Sequence, residues 1–149
     1  MKTNRPTFYF ANPDEAENAF YSAFEMCDLQ LMNAVLANHE GCCIHPGASP
    51  VIGRESILES WSQVFSQMAS AIIHIESISR KESDDFAVHV VAEHFAESHQ
   101  PNAETSLILA TNVYIQQNNG WRLLSHHASP IHEHVLEQQF THQAPSTLQ

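Results

Sequence analysis

Leu107-Ile108-Leu109-Ala110-Thr111-Asn112-Val113-Tyr114-Ile115, the turn Asn118-Asn119-Gly120, and Trp121-Arg122-Leu123-Leu124-Ser125-His126-His127-Ala128-Ser129-Pro130 together decide the fold class. Two apolar-rich runs flank a tight Asn-Asn-Gly turn, the pattern of a β-hairpin. A strand sends alternate side chains to opposite faces. Strict alternation therefore predicts Trp121, Leu123, Ser125, His127 and Ser129 on one face. A histidine and two hydroxyls that continue an apolar stripe predict the wall of a small-molecule cavity in a curved sheet.

The same period of two extends upstream to Met68. Residues 71–81 and 86–98 read as two further long strands, giving four with 105–117 and 121–129. Their turns are Glu82-Ser83-Asp84-Asp85 and His99-Gln100-Pro101-Asn102. Before Met68 the spacing is helical. Asn12-Pro13-Asp14-Glu15 is a helix start, with a capping amide, a proline suited to the first helical position and a glutamate three residues on. Ala16, Phe20, Phe24 and Cys27 form the apolar stripe of that helix. Asp28 caps a second, short helix whose apolar face is Leu29, Met32, Val35 and Leu36. Cys42 to Ile44 reads as a short strand and Pro46 to Gly53 as a loop. A third helix, Arg54 to Met68, carries Ile57, Trp61, Val64, Phe65 and Met68 on one stripe. Helices first and consecutive hairpins after predict an α+β fold, one antiparallel sheet with three helices on one face. The expected organisation is an N-terminal arm (1–11), one domain (12–130) and an extension (131–149). A short helix at 131–140 and a disordered end at 141–149 are expected within that extension.

A chain of 149 residues is long enough to close a core without staples. Seventeen acidic against six basic residues, a net −11, disfavour nucleic-acid phosphates and anionic lipid as partners. Eleven histidines make that charge sensitive to pH near 6. No apolar run reaches membrane-spanning length, and the N-terminus lacks a signal-peptide core. Cys27, Cys42 and Cys43 are odd in number, and two are adjacent, which fits a reducing cytoplasm.

The order helix–helix–short strand–helix–four strands resembles the nuclear transport factor 2-like superfamily, whose members include SnoaL-like polyketide cyclases and ketosteroid isomerases. Three segments carry the resemblance: Phe20-Tyr21-Ser22-Ala23-Phe24 with Asp28; Ile44-His45-Pro46-Gly47 with Val51-Ile52-Gly53-Arg54-Glu55-Ser56-Ile57 and Ser60-Trp61; and Thr111-Asn112-Val113-Tyr114 with Gly120-Trp121-Arg122-Leu123 to Ser129. The resemblance implies a cone, in which a curved sheet wraps three helices around an apolar pocket. It also implies a homodimer formed through the outer sheet face. It leaves function open, because one such fold hosts enzymes, binding modules and assembly domains.

Within that frame His45 is the first catalytic candidate. It precedes Pro46, the position that carries the aspartate base in similar isomerases, and imidazole accepts a proton near neutrality. His127 is the second, with Ser129 beside it. Trp61, Asn112, Tyr114 and Ser129 are the candidate ligand-binding residues. The tyrosine that serves as oxyanion donor in similar isomerases falls near Phe20, which has no hydroxyl. A donor must then be Tyr21, Tyr114, Asn112 or a histidine. The four aspartates all sit at helix starts or a turn. An arginine between two aspartates, as in similar epoxide hydrolases, has no counterpart in the sequence. His74 with Glu76, and His89 with Glu93, share strand faces and fit either acid–base work or a polar outer face. His126, His127, His132 and His134 cluster without a Cys-x-x-Cys or His-Glu-x-x-His pattern, so neither a metal nor another cofactor is expected. Two readings stand. One is a cofactor-free isomerase, cyclase or dehydratase working by proton transfer on a small apolar or carbonyl-bearing molecule. The other is a non-catalytic ligand-binding or dimeric assembly module.

Overall fold

The computed structural model describes residues 8–38, 40–96 and 105–131. The order is α1 (Pro13–Met26), α2 (Leu29–Val35), β1 (Cys42–Ile44), β2 (Val51–Ile52), α3 (Arg54–Gln67), β3 (Ile72–Glu82), β4 (Phe86–Ala96), β5 (Thr105–Gln117) and β6 (Gly120–Pro130). The fold is α+β, three helices against one sheet, as the spacing predicts. The sheet has six strands in the order β2-β1-β6-β5-β4-β3. It is antiparallel except where β1 runs parallel to β6. Alternation could not reveal β2, because Val51–Ile52 is too short to carry a period.

The helix starts behave as their capping chemistry requires. Asn12 Oδ1 accepts from Glu15 N at 2.9 Å, and Glu15 Oε2 accepts in return from Ala11 N at 2.7 Å, a reciprocal box. Asp28 Oδ1 accepts from Leu31 N at the start of α2. Arg54, at the start of α3, donates to Leu36 O at 2.6 Å and to Asn33 O at 2.5 Å, which ties α3 to the end of α2. The stripes also pack inward: Ala16, Phe20 and Phe24 on α1, Met32, Val35 and Leu36 around α2, and Ile57 and Trp61 on α3 are buried. Cys27, Val64, Phe65 and Met68 are half-buried, and Leu29 departs furthest from the expected stripes. It is exposed, because it opens the helix away from the sheet.

Two bulges set which strand residues face the helices. In β3 the pairing with β4 slips between Ser77 and Ser79. In β6, Ser125 pairs with Val113 but Leu123 pairs with Tyr114, leaving Leu124 as an extra residue. An extra residue inverts the phase of everything beyond it. Trp121 and Leu123 point inward, and after the bulge so do His126 and Ala128. Ser125, His127 and Ser129 turn to the outer face. The single stripe expected from Trp121 to Ser129 is therefore broken at Leu124. Gly41 accommodates the bulge, since a Cβ there would lie 2.3 Å from Leu124 O.

All three cysteines are free. Among the described residues no helix is long and apolar enough to cross a membrane. The turn at 99–102 and the segment 132–149, including His132 and His134, lie outside the described residues.

Candidate functional site

The last turn of α3, the start of β3, the end of β4 and the start of β5 surround a cleft of about 460 Å³. Phe24, Val64, Met68, Ala71, Phe95 and Ile108 make its apolar wall, with Gln67, Ser70 and Ser106 supplying polarity. No ionisable side chain is among its described lining residues.

Behind this cleft lies a knot of rings centred on Trp61, which is fully buried. The rings of Phe24, Phe20 and Phe65 lie 4.8, 5.6 and 5.7 Å from the indole, and those of His45 and His126 at 4.7 and 5.8 Å. His45, half-buried at the end of β1, meets Ser60 Oγ through Nε2 at 2.9 Å. Ser60 spends its own proton on Ile57 O at 2.6 Å, so it accepts from His45 Nε2–H. That tautomer leaves His45 Nδ1 as a free base. Burial lowers the His45 pKa and keeps the ring neutral. Cys43 Sγ stands 3.6 Å from the same Nε2. Burial pushes its thiol up to about 12, which removes it as a nucleophile.

A chain of buried hydrogen bonds crosses the interior between sheet and α1. Asn112 Nδ2 donates to Tyr21 Oη at 2.8 Å, and Tyr21 donates to Glu93 Oε2 at 2.5 Å. Asn112 Oδ1 accepts from His126 Nδ1 at 2.5 Å. His126 thus carries its proton on Nδ1, and burial, with His45 and His127 nearby, lowers its pKa to about 3. Glu93 is raised to about 7 by burial, against the opposing pull of the Tyr21 bond.

A second cluster pins the other end of β3 and β4 to α1. Glu17 accepts from His89 Nδ1 at 2.7 Å and from Arg80 at 3.0 Å, and Arg80 also pairs with Asp14. Burial raises the Glu17 pKa, but these donors outweigh it and hold the carboxyl low. Asp14, Glu17 and His89 come close enough to share a cation. The Arg80 guanidinium already supplies that positive charge. Arg80 with Asp14 and Glu17 forms an ion-paired clamp between α1 and β3.

His45 and Trp61 come together as the sequence predicts, and Asn112 and Tyr114 lie inside, fully buried. His127 and Ser129 do not join them. Both are exposed on the outer face, and the Leu124 bulge puts His126 where His127 was expected. The imidazole near His45 is His126, not the second candidate His127. Sequence reading singled out neither Tyr21 with Glu93 as a pair nor Glu17. Glu17 directly follows Ala16 of the α1 stripe, and Tyr21 directly follows Phe20. A helical face wider than one stripe was the signal available for both. On the outer face His94 Nε2 bonds Glu76 at 3.1 Å beside His74, a polar patch rather than a site.

The SnoaL-like domain family matches residues 14–133, nearly all of the α+β unit just described. This chain belongs to the SnoaL-like domain family. Its three helices and mixed sheet are those of the wider nuclear transport factor 2-like superfamily, to which a 25% identical solved structure is assigned. Among solved structures, this SnoaL-like domain is 34% identical to a protein from Thiobacillus denitrificans provisionally named a calcium/calmodulin-dependent protein kinase type II association domain. That match covers 86% of this chain and 100% of the other, with a TM-score of 0.77. A provisionally named dehydratase of the same superfamily from Streptomyces avermitilis is 25% identical, covering 78% and 92% at a TM-score of 0.70. A ketosteroid isomerase-like protein from Erwinia carotovora shares the fold at 17% identity, covering 80% and 93% at a TM-score of 0.65. No curated protein matches this SnoaL-like domain.

Proposed function

We propose that this SnoaL-like domain is a ligand-binding module that works as a homodimer. It takes a small uncharged molecule, apolar or carbonyl-bearing, in the cleft beside α3 and pairs with a second copy through the outer sheet face. The observation that carries the reading is the chemistry of the cleft wall. Its described residues include two aromatic rings and no acid, base or nucleophile, so they offer burial and shape rather than bond-making groups. None of Tyr21, Glu93, Asn112 and His126 lines the cleft. A resemblance at 34% identity to a protein named for association agrees with a non-catalytic role.

The second reading is a cofactor-free isomerase, cyclase or dehydratase with His45 as base. It draws support from the neutral His45 ring with Nδ1 unprotonated, and from the 25% identical protein named as a dehydratase. A thermal-shift panel of uncharged bicyclic hydrocarbons and ketones tests the binding reading. Ligands should raise the melting temperature of the wild type and leave Phe95→Arg unmoved, since that change puts a charge in the cleft wall. No shift with the wild type rejects it. Turnover of a bound ketone, lost in His45→Ala, would move the enzyme reading ahead.

A further inference from the structure

Trp61 Nε1 is a fully buried donor with no hydrogen-bond acceptor among the described residues. Buried N–H groups are nearly always paired, and an orphan of this kind calls for a reason. We propose that the Trp61 indole N–H is the recognition donor for a carbonyl oxygen on the bound molecule, so that the ligand is an uncharged ketone, aldehyde or lactone with an apolar body. This rests on the ligand-binding reading above and adds a buried donor to the polar groups of Gln67, Ser70 and Ser106 on the cleft wall.

Position along α3 supports it. Val64 follows Trp61 by three residues on the same face of α3, and Met68 stands just past the helix end. Val64 and Met68 line the cleft, and Trp61 is the next turn inward along the same row. Phe24 joins the two places, since it lines the cleft and its ring lies 4.8 Å from the indole. Trp61 is not among the cleft's lining residues, so a ligand lodged between Phe24 and Met68 must pass the Phe24 ring to reach the indole.

The two imidazoles beside the indole already have their N–H groups committed. His45 Nε2 serves Ser60 and His126 Nδ1 serves Asn112; the indole N–H and, beside His89, the Tyr114 hydroxyl are the buried side-chain polar atoms without a partner among the described residues. Charge then narrows the ligand. The arginines among the described residues are engaged elsewhere: Arg54 on α2 carbonyls, Arg80 on Asp14 and Glu17, and Arg122 on Phe8 O and Trp121 O. With no cation lining the cleft, a carboxylate would be desolvated without compensation. A neutral carbonyl needs one donor, and a site with a spare donor discriminates against an analogue that cannot use it.

The test compares 1-tetralone with tetralin, two bicyclic molecules of nearly equal shape that differ by the carbonyl. Affinity is measured by calorimetry, and ¹⁵N NMR follows the two indole N–H signals, assigned with Trp121→Phe. The wild type should bind the ketone at least about tenfold more tightly, with the Trp61 N–H signal moving for the ketone alone. Trp61→Phe keeps a ring and loses the donor, and should bind both equally. If wild type binds both equally and the Trp61 signal responds to neither, or if Trp61→Phe retains the preference, the inference is overturned and the cleft reading survives. If neither compound binds, the cleft reading itself falls and the inference with it. Should Trp61→Phe fail to fold, the wild-type preference and NMR signal decide by themselves.

Discussion

The Tyr21 hydroxyl donates to Glu93 Oε2 at 2.5 Å, joining α1 to β4 across 72 positions of sequence. Glu93 is 1% exposed, and Tyr21 is its one hydrogen-bond partner among the described side chains. Tyr21→Phe would leave a buried carboxyl without a donor, which costs about 1–3 kcal/mol. Urea unfolding at pH 7 should show that loss. Glu93→Gln, which needs no charge stabilised, should lose less, and the opposite ranking would show that the carboxylate matters more than its neutralisation.

The two ends of the buried chain give opposite pH signatures. Glu93 has a folded pKa of about 7, above its ordinary 4.5. The folded state therefore holds the extra proton between those values, and stability falls as pH rises from 4.5 through 7. Relative to Glu93→Gln, the wild type should lose roughly 3 kcal/mol across that window.

His126 has a folded pKa of about 3, below its ordinary 6.5. Here the unfolded state holds the extra proton, so the stabilisation is complete above 6.5 and drains away as pH falls. Between pH 6.5 and 4.5 the loss relative to His126→Leu should be roughly 3 kcal/mol. The two effects oppose each other in the wild type. Denaturation curves should find Glu93→Gln weakening on acidification, His126→Leu strengthening, and the wild type nearly flat between them.

Trp61→Ala should destabilise by roughly 3–5 kcal/mol, because it empties the centre of a ring cluster that touches α1, α3, β1 and β6. Calorimetric melting provides the measurement. A loss under 1 kcal/mol would mean that the surrounding rings collapse to fill the space.

On the outer sheet face Val88, Val90, Leu109 and Val113 stand together, opposite the face covered by helices. If a second copy covers them, Leu109→Arg should convert dimers to monomers without unfolding the chain. Light scattering at micromolar concentration checks this, and a monomeric wild type would end the dimer proposal.

Much of the architecture was legible locally. Asn12 and Asp28 start helices because their side chains satisfy free backbone N–H groups a few residues on. The stripes through Phe20 and Trp61 bury because helical spacing puts them on one face. Strands β3 to β6 alternate because extended backbone has a period of two. These are short-range constraints, written in residues near one another in the chain.

What the tertiary structure decided is which residues meet. Leu124 bulges where β6 is flanked by β5 on one side and by Gly41 and β1 on the other, and that arrangement exchanged His127 for His126 inside. Tyr21 and Glu93 sit on separate elements, each reading as one more polar residue on an apolar segment, until packing brings them to 2.5 Å. The parallel pairing of β1 with β6 likewise joins segments more than eighty residues apart along the chain. Sequence spacing sets which way a side chain points within its own element, but a bulge or a partner strand resets that direction, and the cost of an unpaired buried group then selects the one arrangement in which these polar residues find each other.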